Sequence, residues 1–171
     1  GEAFDKVAKM MGLGYPGGRI IDNLAKTGNP KAIRFPRARF KNSPYEFSFS
    51  GIKTSAWHYL KDQGEAQWQP HRADIAASFQ EAVVDMLVNP TVRAAAANGV
   101  ALIVLSGGVA ANSRLRAKMT EKAASEGMQV FCPAPKFCTD NGAMIALAGY
   151  HSLQRGRRDG YDLNADADLT L

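Results

Sequence analysis

Two adjacent glycines, Gly107 and Gly108, separate an apolar run from a segment with the spacing of a helix. The run covers residues 101–105, and the helical pattern begins near Asn112. Glycine lets the backbone approach a ligand closely, and the N–H groups at the start of a helix attract negative charge. The junction therefore predicts a site for a phosphate or a carboxylate, although an ordinary strand-to-helix turn has the same pattern.

A second polar group, Thr139-Asp140-Asn141, precedes a stretch of small and apolar residues that is typical of a helix. Asp140 is placed to accept backbone N–H bonds as a helix cap. A carboxylate presented beside a glycine-rich turn is also a suitable ligand for a divalent cation that touches phosphate. The residues alone leave both interpretations open.

The chain carries a formal net charge of +5, and part of this excess is concentrated in one segment. The segment interleaves basic and aromatic side chains: Lys31, Arg34, Phe35, Arg37, Arg39, Phe40 and Lys41. Basic side chains hold RNA phosphates and aromatic rings stack on bases, so the segment favours an RNA-binding surface. A solvated loop is the other interpretation.

Helical and strand patterns alternate along the chain and must position these groups. The first helical pattern begins at Phe4 and Val7 and ends before Gly12. A second, short helix is predicted over 20–26. Both precede the basic segment, which has only weak periodicity.

The middle of the chain predicts one strand and two further helices. Phe47 and Phe49 alternate with serines, which indicates a short half-buried strand, and Ser50 is then predicted to cap a helix. A polar loop is predicted over 62–73. The long helix that follows should kink or break at Pro90, because proline lacks the N–H and clashes with the preceding turn.

The last third of the chain alternates strand and helix. Strands are predicted over 100–105 and 128–132, and helices over 112–126 and 141–155. This order predicts an α/β fold with partly parallel strands. The chain divides into a mainly helical segment with a short strand, an α/β core and a flexible tail, over 1–99, 100–155 and 156–171.

Composition is that of a globular chain, with 46% hydrophobic and 22% charged residues. No apolar run approaches the length of a membrane span and no signal-peptide pattern opens the chain, so a cytoplasmic protein without a membrane partner is predicted. Cys132 and Cys138 lack a metal-ligand spacing, and we interpret them as reduced, buried thiols.

Five motifs occur in an order that identifies a family. They are Gly1–Lys9, Tyr15–Gly18, Phe47–Thr54, Ser106–Asn112 and Cys138–Met144. In this order they resemble the bacterial TsaD family of tRNA threonylcarbamoyladenosine transferases, formerly called O-sialoglycoprotein endopeptidases. The resemblance corresponds to the second half of such a protein. It implies the second lobe of an actin/hexokinase-like (ASKHA) α/β fold with a helical insertion.

The resemblance also implies which residues bind substrate. Asp5 and Gly18 would contact the ribose and base of an adenylate, and Asn112 would contact its nucleotide portion. The chemistry is suitable, because a carboxylate accepts ribose hydroxyls and an amide both donates and accepts. Without the resemblance, Asp5 would be interpreted as an ion-pair partner of Lys9. No residue of this chain is implied as catalytic.

A metal site is implied only in part. In this family the counterpart of Asp140 binds a divalent metal, iron or zinc, together with two histidines of a His-x-x-x-His helix in the other lobe. His58, His71 and His151 do not have that spacing. The implied site is therefore incomplete, with the metal absent or weakly bound in this chain alone.

The implied reaction moves threonylcarbamoyl from threonylcarbamoyl-adenylate to the N6 amine of the adenosine next to the tRNA anticodon. TsaB and TsaE are implied as partner proteins, and the chain alone is expected to be inactive. Three alternatives stay open. They are a metalloendopeptidase, which would need a metal-bound water and a general base, a kinase or ATPase of the same superfold, and a non-catalytic scaffold.

Overall fold

A computed structural model of the chain describes residues 1–38, 40 and 43–165. The α-helices in these ranges are α1 (Glu2–Met10), α2 (Gly17–Ala25), α3 (Ser50–Gln63), α4 (Glu65–Trp68), α5 (Arg72–Ala97), α6 (Ser113–Ser125) and α7 (Gly142–Gln154). The strands are β1 (Leu102–Val104) and β2 (Gln129–Phe131), and short 3-10 turns cover Gln69–His71, Gly108–Ala111 and Pro135–Phe137.

The first hydrophobic core lies between α1, α2, α3 and α5. Phe4 and Val7 fall on one face of α1 because helical neighbours recur every three or four residues, and both are buried. Phe79 of α5 lies at the centre, with its ring edge-on to Phe4 and to Phe35. The contacts confirm the helical periodicity predicted for the start of the chain.

The second core lies between α5, α6 and the sheet. β1 and β2 are parallel, with Ile103 opposite Val130, and α6 forms the connection between them. Val88 of α5 and Met119 of α6 are fully buried in this core. The predicted strand, helix, strand and helix order of residues 100–155 is confirmed, as is the mixed α/β class with parallel strands.

Helix α5 is continuous across Pro90, so the predicted break is wrong, and the predicted kink stays a prediction. Proline removes one backbone hydrogen bond from a helix. Val88 and Val92, on either side of Pro90, are both buried in the second core. Packing on both sides of the proline therefore stabilises the continuous helix.

Three further predictions for the middle of the chain are wrong. Phe47 and Phe49 lie in irregular backbone before α3, with their rings stacked at 6.5 Å, rather than in a strand. Ser50 is the first residue of α3 and makes no side-chain cap bond. The segment 62–73 contains the end of α3, all of α4 and the start of α5, and Trp68 anchors it by burial.

The sheet and α7 both expose large apolar side chains. Leu102 and Val104 on β1 and Phe131 on β2 are each more than half exposed, at 52%, 59% and 58%. Helix α7 buries none of its residues, and its Ile145 is 71% exposed. Exposed apolar side chains on paired strands are typical of a contact face.

Two further predictions concern membrane spans and the C-terminal tail. Among the described residues, no helix is both long enough and apolar enough to cross a membrane. The tail predicted over 156–171 is described as far as residue 165, and the rest of it lies outside the described residues.

Candidate functional site

A cavity of about 760 Å³ lies between the start of α1, the start of α2 and the turn that follows β1. Asp5, Gly18 and Asn112 all line it. These residues come from three separate segments, and the fold brings them to one place. The turn between β2 and α7 closes another side of the cavity through Pro135 and Thr139.

The Asp5 carboxylate is fixed against the start of α2. Its Oδ1 accepts a hydrogen bond from the backbone N–H of Gly17 at 2.8 Å. An N–H in the first turn of a helix has no intrahelical partner, so this bond satisfies it. The bond ties α1 to α2 and sets the direction in which Asp5 enters the cavity. Among the described residues, Asp5 forms no ion pair with Lys9.

The two glycines of the Pro-Gly-Gly turn differ in what surrounds them. A Cβ at Gly17 would lie 2.6 Å from the carbonyl oxygen of Phe4 and 2.7 Å from Ala8 Cβ, so α1 and α2 need glycine there to approach each other. A Cβ at Gly18 would meet nothing closer than Phe4 Cβ at 4.0 Å. Packing within the chain does not require Gly18, which leaves ligand approach as a reason for its small size.

Asn112 is the cap of α6 and is nearly inaccessible, with 7% exposure. Its Oδ1 accepts from the N–H of Leu115 at 2.9 Å. Its Nδ2 donates to Oε1 of Gln80, on α5, at 2.7 Å. Both ends of the amide are therefore engaged, which holds the side chain in one orientation at the cavity wall.

The start of α6 also carries a carboxylate of the protein itself. Asp22, on α2, accepts from the N–H of Ser113 at 3.2 Å and from its hydroxyl at 2.8 Å. Together with the Asn112 cap, this bond occupies two of the N–H groups of the first turn of α6. A ligand phosphate at either position would have to replace one of these bonds, so the predicted phosphate or carboxylate ligand at this junction stays a prediction. A 3-10 turn, Gly108–Ala111, also separates the glycine pair from the helix.

Asp140 lies next to the cavity-lining Thr139 and is exposed. The cap of α7 is Asn141, whose Oδ1 accepts from the N–H of Met144 at 3.1 Å. The cap interpretation of Asp140 is therefore wrong, because the next residue performs that role. The ligand interpretation of Asp140 stays a prediction.

The described residues do not group three or more His, Cys, Asp or Glu side chains in a way that could hold a metal ion. His58, His71 and His151 are all exposed and lie on different parts of the chain. Of the residues that the structure describes, Asp140 is the one predicted metal ligand near the cavity.

The basic segment is only partly available to a ligand. Arg37 donates from Nε to Asp85 at 2.8 Å and from Nη1 to the carbonyl oxygen of Phe35. Phe35 is buried in the first core, so it cannot stack on a base. Lys31 and Arg34 are exposed. The other two basic residues of the segment, at positions 39 and 41, lie outside the described residues.

An ion-pair network joins α5 to α6. Arg114 donates from Nε and Nη2 to the two carboxylate oxygens of Glu81, at 2.7 and 2.9 Å, and Lys118 bridges Glu81 and Asp85. The hydrogen bond from Arg114, with a smaller contribution from Lys118, lowers the pKa of Glu81 from 4.5 to about 2, although burial opposes the shift. The same pair raises the pKa of Arg114.

Sequence reasoning did not find this network, although a signal was present. Glu81 and Asp85 are like charges four residues apart on one helix, and Arg114 and Lys118 repeat the arrangement with the opposite sign. Like charges at this spacing destabilise an isolated helix, so each pair indicates an opposite partner elsewhere. Asp22 gives no comparable signal, because its partner lies 91 residues away.

Comparison with known proteins places this geometry in context. The family model described as "TsaD: tRNA N6-adenosine threonylcarbamoyltransferase" matches residues 1–147. A tRNA N6-adenosine threonylcarbamoyltransferase of Anaeromyxobacter dehalogenans (strain 2CP-1) is 57% identical over 97% of this chain. One from Thermotoga neapolitana is 50% identical over all of it. The alignments cover 50% and 51% of these proteins, so the chain spans about half the length of the curated relatives it matches.

Among solved structures, the crystal structure of T. kodakarensis HypF is similar, with a TM-score of 0.51 and 22% identity. The match covers 82% of this chain and 17% of that one. At this level of identity the similarity concerns the fold alone.

Proposed function

Because the chain belongs to the TsaD family of tRNA N6-adenosine threonylcarbamoyltransferases, we propose that it forms part of an enzyme that modifies adenosine in tRNA. The enzyme moves a threonylcarbamoyl group from threonylcarbamoyl-adenylate to the N6 amine of the adenosine next to the anticodon, and AMP leaves. The observation that carries the proposal is the meeting of Asp5, Gly18 and Asn112 at one cavity.

Each cavity residue has a distinct part in holding the adenylate. Asp5, tied to Gly17, keeps oxygen lone pairs for ribose hydroxyls. Gly18 gives a flat base room to approach the backbone. Asn112 offers an amide N–H to the nucleotide portion. These contacts bind and orient the donor substrate.

The group transfer itself needs orientation more than covalent help from this chain. The N6 nitrogen forms a bond to the carbamoyl carbon, the bond from that carbon to the phosphate oxygen breaks, and the amine loses one proton. Since AMP is a stable leaving group, correct placement of the two substrates supplies much of the rate. No residue of this chain is proposed as nucleophile or general base.

We assign Asp140 as one ligand of a divalent metal, iron or zinc, in the family-length protein, by which we mean a protein with the full length of its relatives. The donor type suits such a metal, but a single carboxylate does not make a complete site, so the further ligands must come from outside the described residues. Asp140→Asn in the family-length protein should remove bound metal, measured by elemental analysis. It should leave α7 capped, because Asn141 performs that role.

We further propose that the chain is the second lobe of an actin/hexokinase-like fold with a helical insertion. The parallel strands connected through α6 and the similarity to HypF support this placement. The exposed apolar side chains of β1, β2 and α7 support the presence of a second half that covers them, since the chain spans about half the length of its relatives. The chain alone is therefore proposed to be inactive.

The proposed partners are tRNA, TsaB and TsaE, in the cytoplasm. Lys31 and Arg34 are the exposed basic residues that suit tRNA phosphates. We do not propose Arg37 as a tRNA contact, because its guanidinium is bonded to Asp85 and replacing it would break that bond. Replacing Lys31 and Arg34 together by Ala should weaken tRNA binding and flatten its salt dependence, without changing adenylate affinity.

The other enzyme classes have less support. A metalloendopeptidase of the His-Glu-x-x-His type would need a motif that the printed sequence lacks. A kinase or ATPase that binds phosphate at the start of α6 would compete with Asp22 for the same N–H group.

The direct test is incorporation of labelled threonine into tRNA by the family-length protein with TsaB and TsaE. Asp5→Asn should lower adenylate affinity, since the amide keeps an acceptor for Gly17 but loses the charge that favours ribose hydroxyls. Asp74→Asn, which changes a carboxylate remote from the cavity, is the matched control. Unchanged adenylate affinity in Asp5→Asn would remove the substrate role of this cavity.

A further inference from the structure

Gln80 is a buried polar residue on α5 that does not line the cavity. It is 5% exposed and lies on a helix that contributes buried residues to both cores. Its Oε1 accepts the 2.7 Å hydrogen bond from Nδ2 of Asn112, which is 32 residues away in sequence. A buried amide of this kind costs free energy unless it is hydrogen-bonded, so the pairing needs a reason.

The reason lies in the hydrogen-bonding capacity of Asn112. A side-chain amide has two N–H donors and one carbonyl oxygen. Oδ1 is bonded to the N–H of Leu115, and one hydrogen of Nδ2 is bonded to Gln80. The second hydrogen of Nδ2 is left for the cavity that Asn112 lines.

Reversal of the Asn112 amide is unfavourable in this setting. A rotation by half a turn would bring Nδ2 against the N–H of Leu115 and Oδ1 against Oε1 of Gln80. Two donors would then face each other, and so would two acceptors. The neighbouring residue, Glu81, binds Arg114 and keeps α5 and α6 at a fixed distance, so Gln80 cannot move away from Asn112.

We propose that Gln80 is a positioning residue for substrate binding, which holds Asn112 so that it presents an N–H donor to the adenylate. Asn112 then selects an acceptor atom in the nucleotide portion of the ligand. Gln80 acts only through Asn112 and makes no ligand contact of its own. This inference rests on the proposed function, since it assumes that the cavity binds an adenylate.

The test measures AMP binding to the family-length protein by calorimetry, because AMP retains the nucleotide portion and requires no chemistry. Gln80→Met removes the acceptor at similar volume and should weaken AMP about tenfold, the effect of one lost hydrogen bond. Gln80→Glu keeps an acceptor oxygen at the same position, so it should rescue binding to within about twofold of the unmodified protein.

A control on the same helix separates positioning from general destabilisation. Ser78 is also a buried polar residue of α5, but it bonds to the backbone of Asn29 and Ile33 rather than to the cavity. Ser78→Ala should lower thermal stability and leave AMP affinity unchanged. If Gln80→Met only loosened the fold, Ser78→Ala would weaken AMP to a similar degree.

A double variant gives the decisive readout. In an Asn112→Ala background, Gln80→Met should have no further effect on AMP affinity, because the group that Gln80 positions is gone. Equal losses from Gln80→Met in both backgrounds would overturn the positioning role, as would full affinity in Gln80→Met alone. Failure of the unmodified protein to bind AMP would instead overturn the proposed function, and the positioning role with it.

Discussion

The Glu81 carboxylate should contribute strongly to the stability of the 171-residue chain at neutral pH. Arg114 and Lys118 lower its pKa from 4.5 to about 2. A shift of this size corresponds to about 3 kcal/mol, because each unit of pKa is worth about 1.4 kcal/mol. The Arg114 side chain is 37% exposed, so water screens the pair, and we expect Glu81→Gln to cost about 2 kcal/mol.

The pH dependence of this cost has a definite sign. Because folding lowers the pKa of Glu81, its contribution is complete above pH 4.5 and disappears as the pH falls towards about 2, when the folded state takes up the proton. The difference in unfolding free energy between the unmodified chain and the Glu81→Gln variant should therefore shrink by about half between pH 7 and pH 3. This difference can be measured by urea unfolding, monitored by circular dichroism at several pH values.

Glu126→Gln is the matched control, because it removes a carboxylate just after the end of α6 that pairs with Lys122 in solvent. An exposed pair of this kind contributes about 0–1 kcal/mol, with little change between pH 7 and pH 5. Equal costs for Glu81→Gln and Glu126→Gln would refute the reasoning. So would a cost of Glu81→Gln that stays constant down to pH 3.

Three further predictions concern the glycine turn, the cap of α7 and the exposed apolar side chains. Gly17→Ala should cost about 1–3 kcal/mol in urea unfolding, because its Cβ would overlap α1, whereas Gly18→Ala should be neutral to within about 0.5 kcal/mol. Asn141→Ala should lower helical content by circular dichroism through loss of the cap, and Asp140→Ala should not. Ile145→Glu should leave thermal stability nearly unchanged and reduce binding of a hydrophobic dye, since Ile145 is 71% exposed; equal dye binding would contradict this.

The sequence predicts the helices and strands of the last third closely, because each has a clear period and a clear end. Gly107 ends one run, and Asn112 and Asn141 begin the next helices, since Asn is a favoured cap. Pro90 was misleading because a rule about local backbone does not include packing, and the second core holds the helix together there. Trp68 shows the same limit, since its burial orders a segment whose other residues are polar.

The residues of the candidate site were predictable from the sequence only in part. Asp5, Gly18 and Asn112 can be found from the sequence only through resemblance to a family, because no local spacing connects them. The residues that hold the start of α6 could not be found, since Asp22 bonds to Ser113 and Gln80 bonds to Asn112, 91 and 32 residues away. A hydrogen bond between distant segments leaves no periodic trace in the sequence.

Helix α5 links both hydrophobic cores to the segment that forms one wall of the cavity. Its buried residues belong to both cores, Phe79 to the first and Val88 to the second. Between them, Gln80 and Glu81 bind consecutive parts of α6, one through the amide of Asn112 and the other through Arg114. Stability and adenylate affinity should therefore respond separately to changes in α5. Ser78→Ala should lower stability alone, because its hydroxyl bonds to Asn29 and Ile33, whereas Gln80→Met should weaken AMP through Asn112.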